Sequence, residues 1–166
     1  MSRLLLACLV LVGCGYHATG RGPLPTSVHS IAVPAFANLT RTYKVEQSLT
    51  SAVVREFVTR TNYRISSKPD EADAVLKGTV TSAYVAPLTF DPTTGRISSA
   101  LVTVNMQVSL ADRKGKVLYQ NNQYIFRQQY QVSREISSFF EEESPSVERL
   151  SRDFARTLVN DVLEAY

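Results

Sequence analysis

From Leu101 to Leu110 the residue type alternates without a break: Val102, Val104, Met106, Val108 and Leu110 interleave with Leu101, Thr103, Asn105, Gln107 and Ser109. A period of two places alternate side chains on opposite faces of a strand and cannot produce the stripe a helix buries every 3.6 residues. A sheet with one covered face is therefore the fixed point around which the remaining segments must pack.

The flanking segments supply the other elements. Residues 28–36 read as a short strand with Ile31 and Val33 on one face, and Pro34 places its end at a sheet edge. Val45, Leu49, Ala52, Val53 and Phe57 recur at spacings of three and four and predict an amphipathic helix over about 43–60. Tyr63-Arg64-Ile65 begins a short strand, a polar loop follows to Asp73, and residues 74–86 form another strand in which Gly78 marks a bulge or a close approach. Asp91-Pro92-Thr93-Thr94-Gly95-Arg96 is turn chemistry. A second turn, Asp112-Arg113-Lys114-Gly115-Lys116, leads into a strand from Val117 to about Gln131, with Tyr124 and Phe126 on one face. Ser144 suits a helix cap and Pro145 the first helical position. Val147, Leu150, Phe154, Leu158 and Val162 then trace a second apolar stripe that runs almost to Tyr166. The expected fold class is α+β: two amphipathic helices packed on one face of a single, mostly antiparallel sheet of four to five strands. The opposite sheet face is left exposed or available to a partner. Residues 28–166 are expected to form this one domain.

The N-terminus reads differently. Met1-Ser2-Arg3 gives a short positive start, Leu4 to Val12 an apolar run, and Gly13 a small residue before Cys14. This is the pattern of a signal peptide over 1–13, and the apolar run falls short of the roughly 20 residues that span a bilayer. Leu11-Val12-Gly13-Cys14 resembles the bacterial lipobox, which implies diacylglycerol on the Cys14 sulfur and cleavage before it. Gly15, in place of the aspartate associated with inner-membrane retention, implies the outer membrane. Residues 14–27, rich in Gly, Pro and Thr, are expected to be a lipidated tether.

Several function classes lack their chemistry. The formal charge of +3 includes Arg3, and Lys and Arg are interspersed with Asp and Glu, so no basic stripe is available for nucleic acid. Cleavage before Cys14 leaves one thiol and no intrachain disulfide; His17 and His29 have no second His or Cys at ligand spacing. No nucleophile with base and orienter is legible, nor a glycine-rich phosphate cradle, so neither an enzyme nor a cofactor is expected. Glu141-Glu142-Glu143 reads as a solvated run before a helix N-terminus, where negative charge is favoured. More telling, residues 97–111 and 117–126 contain no Asp, Glu, Lys or Arg, and their outward positions are Thr, Asn, Gln and Ser. Uncharged hydrogen-bonding groups suit a face enclosed against a polar protein surface, because charges cost more to desolvate. A free face that is merely polar is the alternative, and both readings stand.

Cys14-Gly15-Tyr16-His17, Ser30-Ile31-Ala32-Val33-Pro34-Ala35-Phe36-Ala37-Asn38, Ala72-Asp73-Ala74-Val75-Leu76-Lys77-Gly78, Val102 to Leu110, and Asp112 to Leu118 occur in an order and spacing that resemble the LPS-assembly lipoprotein family, LptE. The resemblance implies a non-enzymatic, outer-membrane, lipid-anchored subunit seated in the lumen of a large β-barrel translocon partner (LptD-like), assisting its assembly and the delivery of lipopolysaccharide. It also implies basic residues near the domain tip that touch the anionic lipid, here Arg96 and, between the last strand and second helix, Arg134. The run Ile31 to Asn38 is similar, too, to the opening of lipoproteins that activate cell-wall synthases or form secretion pores. That similarity leaves a lipid-anchored periplasmic binding module as the alternative.

Overall fold

Residues 24–42, 44–132 and 145–165 are described in a computed structural model of the chain. The signal peptide, Cys14, Arg134, the glutamates at 141–143 and Ser144 lie outside these residues.

The elements run β1 (Ser30–Ala32), β2 (Ala37–Asn38), α1 (Val45–Arg60), β3 (Arg64–Ser66), β4 (Ala74–Phe90), β5 (Ile97–Asp112), β6 (Val117–Gln131) and α2 (Pro145–Glu164), with a 3-10 turn at Pro69–Glu71. Both helices bury the stripes expected of them: Val45, Leu49, Ala52, Val53 and Phe57 in α1, and Val147, Leu150, Phe154, Leu158 and Val162 in α2. These meet Val102, Val104, Met106, Val108 and Leu110 of β5 in one core. Burying a side chain such as Phe154 contributes about 2–3 kcal/mol. Tyr124 and Phe126 turn their rings edge-on to Phe154 at centroid distances of 5.7 and 6.3 Å, which fixes α2 over β6.

The sheet differs from the expectation in strand number and direction. It has six strands, ordered β3-β1-β4-β5-β6 with β2 beside β4, and it is mixed: β1 pairs in parallel with β3 and β4, and β2 pairs in parallel with β4. Only β4–β5 and β5–β6 are antiparallel. The reason is that α1 carries the chain from β1 back to β3, a helical crossover that returns a strand in the same direction. The segment read as a strand over 28–36 holds a strand only at Ser30–Ala32, which ends before Pro34, a residue that cannot donate to a ladder; β2 follows at Ala37–Asn38, beyond that segment.

The 3.6-residue and two-residue patterns meet a further local rule in β4. Ala74, Leu76, Gly78 and Val80 face the core, but the pairing skips from Val80–Met106 to Ser82–Asn105, and Ala83 and Val85 face inward beyond the skip. Thr81 is the extra residue, and its hydroxyl donates to the Asn105 carbonyl at 3.1 Å. This bulge shifts the alternation by one position without disturbing the sidedness of β5.

At the end of the sheet where the chain enters, Asp73 Oδ2 accepts the backbone amides of His29 and Ser30 at 3.1 and 3.0 Å and the Ser30 hydroxyl at 2.7 Å. Arg113, in the β5–β6 turn, donates its amide to the Asp73 carbonyl and its Nε to the Ala72 carbonyl. One carboxylate and one arginine thus tie together β1, β4 and the β5–β6 turn. Leu24, in the stretch assigned to the tether, is 2% exposed and belongs to the core.

Candidate partner-binding face and hairpin tip

The helices cover one face of the sheet, and the other is open. Together β4, β5 and β6 contain only three charged residues, Lys77, Asp112 and Arg127. Hydroxyl and amide groups fill the open face between them. Asn105 donates to the Ser82 hydroxyl at 2.6 Å, the Thr89 hydroxyl lies 2.8 and 2.7 Å from those of Ser98 and Ser99, and Gln129 reaches Ser99 at 3.4 Å. Exposed apolar groups sit among them: Tyr84 and Ile125 are about half exposed, at 51% and 49%. Thr103, directly between Tyr84 and Arg127 in the register, is 2% exposed although it points away from the helices. A wide surface of uncharged hydrogen-bonding groups with scattered apolar ones loses little on desolvation and offers donors and acceptors to a polar partner.

The hairpin tip is built on Asp91. Its Oδ1 accepts the amides of Thr93 and Thr94, each at 2.8 Å; its amide donates to the Arg96 carbonyl and its carbonyl accepts the Gly95 amide. Gly95 takes a φ of +66°, the left-handed conformation this turn requires. The Thr94 and Thr93 amides hold the Asp91 carboxyl below the usual carboxylate range. Arg96 is exposed beside this turn. Of the predicted lipid-contacting residues, Arg96 therefore stands at the far end of the hairpin, whereas Arg134 and Cys14 are outside the described residues.

Sequence reasoning ended the β4 strand at residue 86 and so missed its outer part. The strand continues through Pro87 to Phe90, leaving Leu88 and Phe90 45% and 58% exposed next to the tip. Pro87 is tolerated because β2 borders β4 only at Thr79 and Val80, so the far side of Pro87 needs no donor. The signal that could have revealed the extension is the pair of large apolar residues, Phe90 and Ile97, that bracket the Asp91–Arg96 turn and face each other across it.

Among the described residues no three of His, Cys, Asp and Glu gather as metal ligands, and no helix is long and apolar enough to cross a membrane.

Two helices over one face of a mixed sheet define an α+β fold shared by diverse bacterial proteins. The chain superposes on a protein of Chlamydia trachomatis at 10% identity with a TM-score of 0.55, over 82% of this chain and 96% of the other. For a protein of Xanthomonas campestris the values are 14% and 0.52, over 87% and 91%. The rare lipoprotein B from Shewanella oneidensis is similar at 14% identity, a TM-score of 0.47 and coverage of 82% and 92%. No match is found among curated protein sequences. The sequence pattern of the LptE lipopolysaccharide-assembly family matches residues 28–162, nearly the whole described domain, and the chain belongs to that family.

Proposed function

We propose that this protein is a non-catalytic, lipid-anchored outer-membrane subunit that seats its domain against the lumen of a large β-barrel partner. In that seat it assists both the partner's assembly and the delivery of lipopolysaccharide. The observation that carries the reading is the family match over 28–162. The open sheet face supports it physically: its hydroxyl and amide groups suit a polar lumen wall, and burying them costs far less than burying the Lys and Glu of an ordinary solvated face. Arg96, exposed at the tip, is the group we assign to a lipid phosphate, because a guanidinium forms paired, charge-assisted bonds to phosphate oxygens. Arg134 is assigned the same role on the family resemblance alone, and Cys14 the acyl anchor.

The test is affinity capture of the full-length, C-terminally tagged protein from detergent-solubilised envelopes. A stoichiometric large β-barrel supports the reading; a periplasmic synthase, or no stable partner, overturns it. A variant carrying Gln107→Glu with Ile125→Glu on the open face should fold normally and recover the barrel at least on the order of tenfold less well, since an uncompensated buried charge costs several kcal/mol. Undiminished capture would remove this face from the interface.

A further inference from the structure

The open face has few charges, and in its outer half they do not balance. Of the three charged residues in β4, β5 and β6, Lys77 stands opposite Ser109, Asp112 closes β5, and Arg127 stands opposite Thr103, nearer the tip. Thr103 also faces Tyr84, while the next pair along, Val104 with Phe126, belongs to the core, so Arg127 projects from the open side. Measured along the strands, its level is about 20 Å from that of Lys77 and about 30 Å from the end of the sheet that holds Asp73 and Asp112. Toward the tip it is about 20 Å from the Phe90–Ile97 pair, beyond which Asp91 begins the turn.

All three of those carboxylates are engaged where they stand. Asp73 accepts the His29 and Ser30 amides, Asp91 those of Thr93 and Thr94, and Asp112 those of Lys114 and Lys116. The helices lie behind the sheet, and their carboxylates serve that side: Glu46 accepts from Asn38, Glu56 from Arg60 and Asp161 from Tyr124. Exposed charges farther apart than about 8 Å are largely screened from one another in physiological salt. Arg127 takes part in none of the ion pairs among the described residues.

The guanidinium also lies within the area that a partner would cover. Thr103 is 2% exposed on a side that no element covers, so the side chains around it provide the shielding, and Tyr84 and Arg127 are the largest of them across the strands. A guanidinium enclosed against another protein keeps its charge, and without a counter-ion its desolvation opposes binding; with a carboxylate it forms two parallel, charge-assisted bonds.

We infer that Arg127 anchors the open face by pairing with a carboxylate on the lumen wall of the barrel partner, and that this one pair sets the level at which the domain seats. The inference rests on the proposed function above and adds the chemistry of the contact. The uncharged groups around Arg127 fit many positions along a polar wall, whereas the cation fits only where an acid stands opposite. Like-charged or uncharged stretches of wall are rejected by the same group.

The test uses the full-length, C-terminally tagged protein, captured with its partner from detergent-solubilised envelopes. Arg127→Gln should recover on the order of thirtyfold less barrel than the wild type, and Arg127→Glu still less, because each leaves the wall carboxylate without its cation. Arg127→Lys should keep most of the capture. That variant's complex is then treated with a water-soluble carbodiimide, which activates a carboxylate for attack by the lysine amine and leaves an amide with net loss of one water. Mass spectrometry should find position 127 joined to an Asp or Glu of the barrel. Capture by Arg127→Gln within twofold of wild type, or a captured Arg127→Lys complex with no such link, overturns the pair while the barrel reading stands. Weaker binding of purified Arg127→Gln to lipopolysaccharide would also overturn it, by making Arg127 a phosphate contact. A wild-type protein that captures no barrel removes the proposed function, and the pair with it.

Discussion

The ring of Phe36 lies flat against the backbone of Gly78, so close that a Cβ built on that glycine would stand 2.8 Å from two ring carbons. Phe36 is 3% exposed, in the connection between β1 and β2, and Gly78 faces the core from β4. The glycine is what lets the aromatic ring close over the sheet where β2 joins it. Gly78→Ala should destabilise the domain by about 1–3 kcal/mol through overpacking. Denaturant unfolding checks this, and the loss should shrink when Phe36→Leu is added. A wild-type midpoint in Gly78→Ala would mean that the ring shifts freely and the contact has no structural weight.

Asp73 gives a pH signature. The Ser30 hydroxyl first, and then the His29 amide, hold its carboxyl below the usual value of 3.8. A carboxyl whose pKa is depressed on folding contributes stability that is present above the unfolded value and is lost as pH falls through the folded one. The stability advantage of the wild type over Asp73→Asn should therefore be constant near neutrality and narrow below about pH 3.8. Unfolding curves collected across that range decide it; a gap that stays the same in acid would show that the carboxylate charge contributes nothing.

Tyr124 points to the opposite end of the scale. Burial, and then its 2.8 Å hydrogen bond to Asp161, push its hydroxyl far above the ordinary tyrosine value of 10.0. The sign is the reverse of the aspartate case: the stabilisation is complete below the unfolded pKa and disappears as pH climbs above it toward the folded one. Tyr124→Phe should cost about 1–2 kcal/mol at neutral pH. It should also be less sensitive to alkaline unfolding than the wild type, as followed by circular dichroism, and equal alkaline sensitivity would contradict the assignment.

For the tip, Arg96→Glu should leave the unfolding midpoint within about 0.5 kcal/mol of wild type, because the side chain is exposed. Binding of purified protein to lipopolysaccharide should weaken roughly tenfold, the value of one charge-assisted bond. Unchanged affinity would withdraw Arg96 from lipid contact.

What the sequence made legible follows from the length of each pattern. The stripes of α1 and α2 are several turns long, and every residue assigned to them is buried. The alternation of β5 was equally plain. β1 and β3 were read as short strands from residue type and position, but β2 holds only two residues, too few for any period to register, and the parallel pairing of all three is set by the α1 crossover. The sixth strand and the mixed sheet were thus invisible to pattern alone. Charge depletion foretold the character of the open face, but its apolar members, Tyr84 and Ile125, read simply as strand residues. Asn38 illustrates the converse, a residue with no periodic pattern to mark it that holds a fixed structural place. The Asn38 amide donates to Glu46 at 2.7 Å and to the Thr42 carbonyl at 2.9 Å, while its oxygen accepts from Thr40. It fastens β2 to the start of α1.

The bulge at Thr81 lets β4 carry one residue more than β5 while the two strands stay in register on either side of it, Val80 opposite Met106 and Ser82 opposite Asn105. Losing Thr81 would close the ladder and leave Ala83 and Val85 turned to the core and Tyr84 outside. That position is slack in the strand: one codon deleted there would be absorbed locally, without exchanging the faces of the hairpin beyond it.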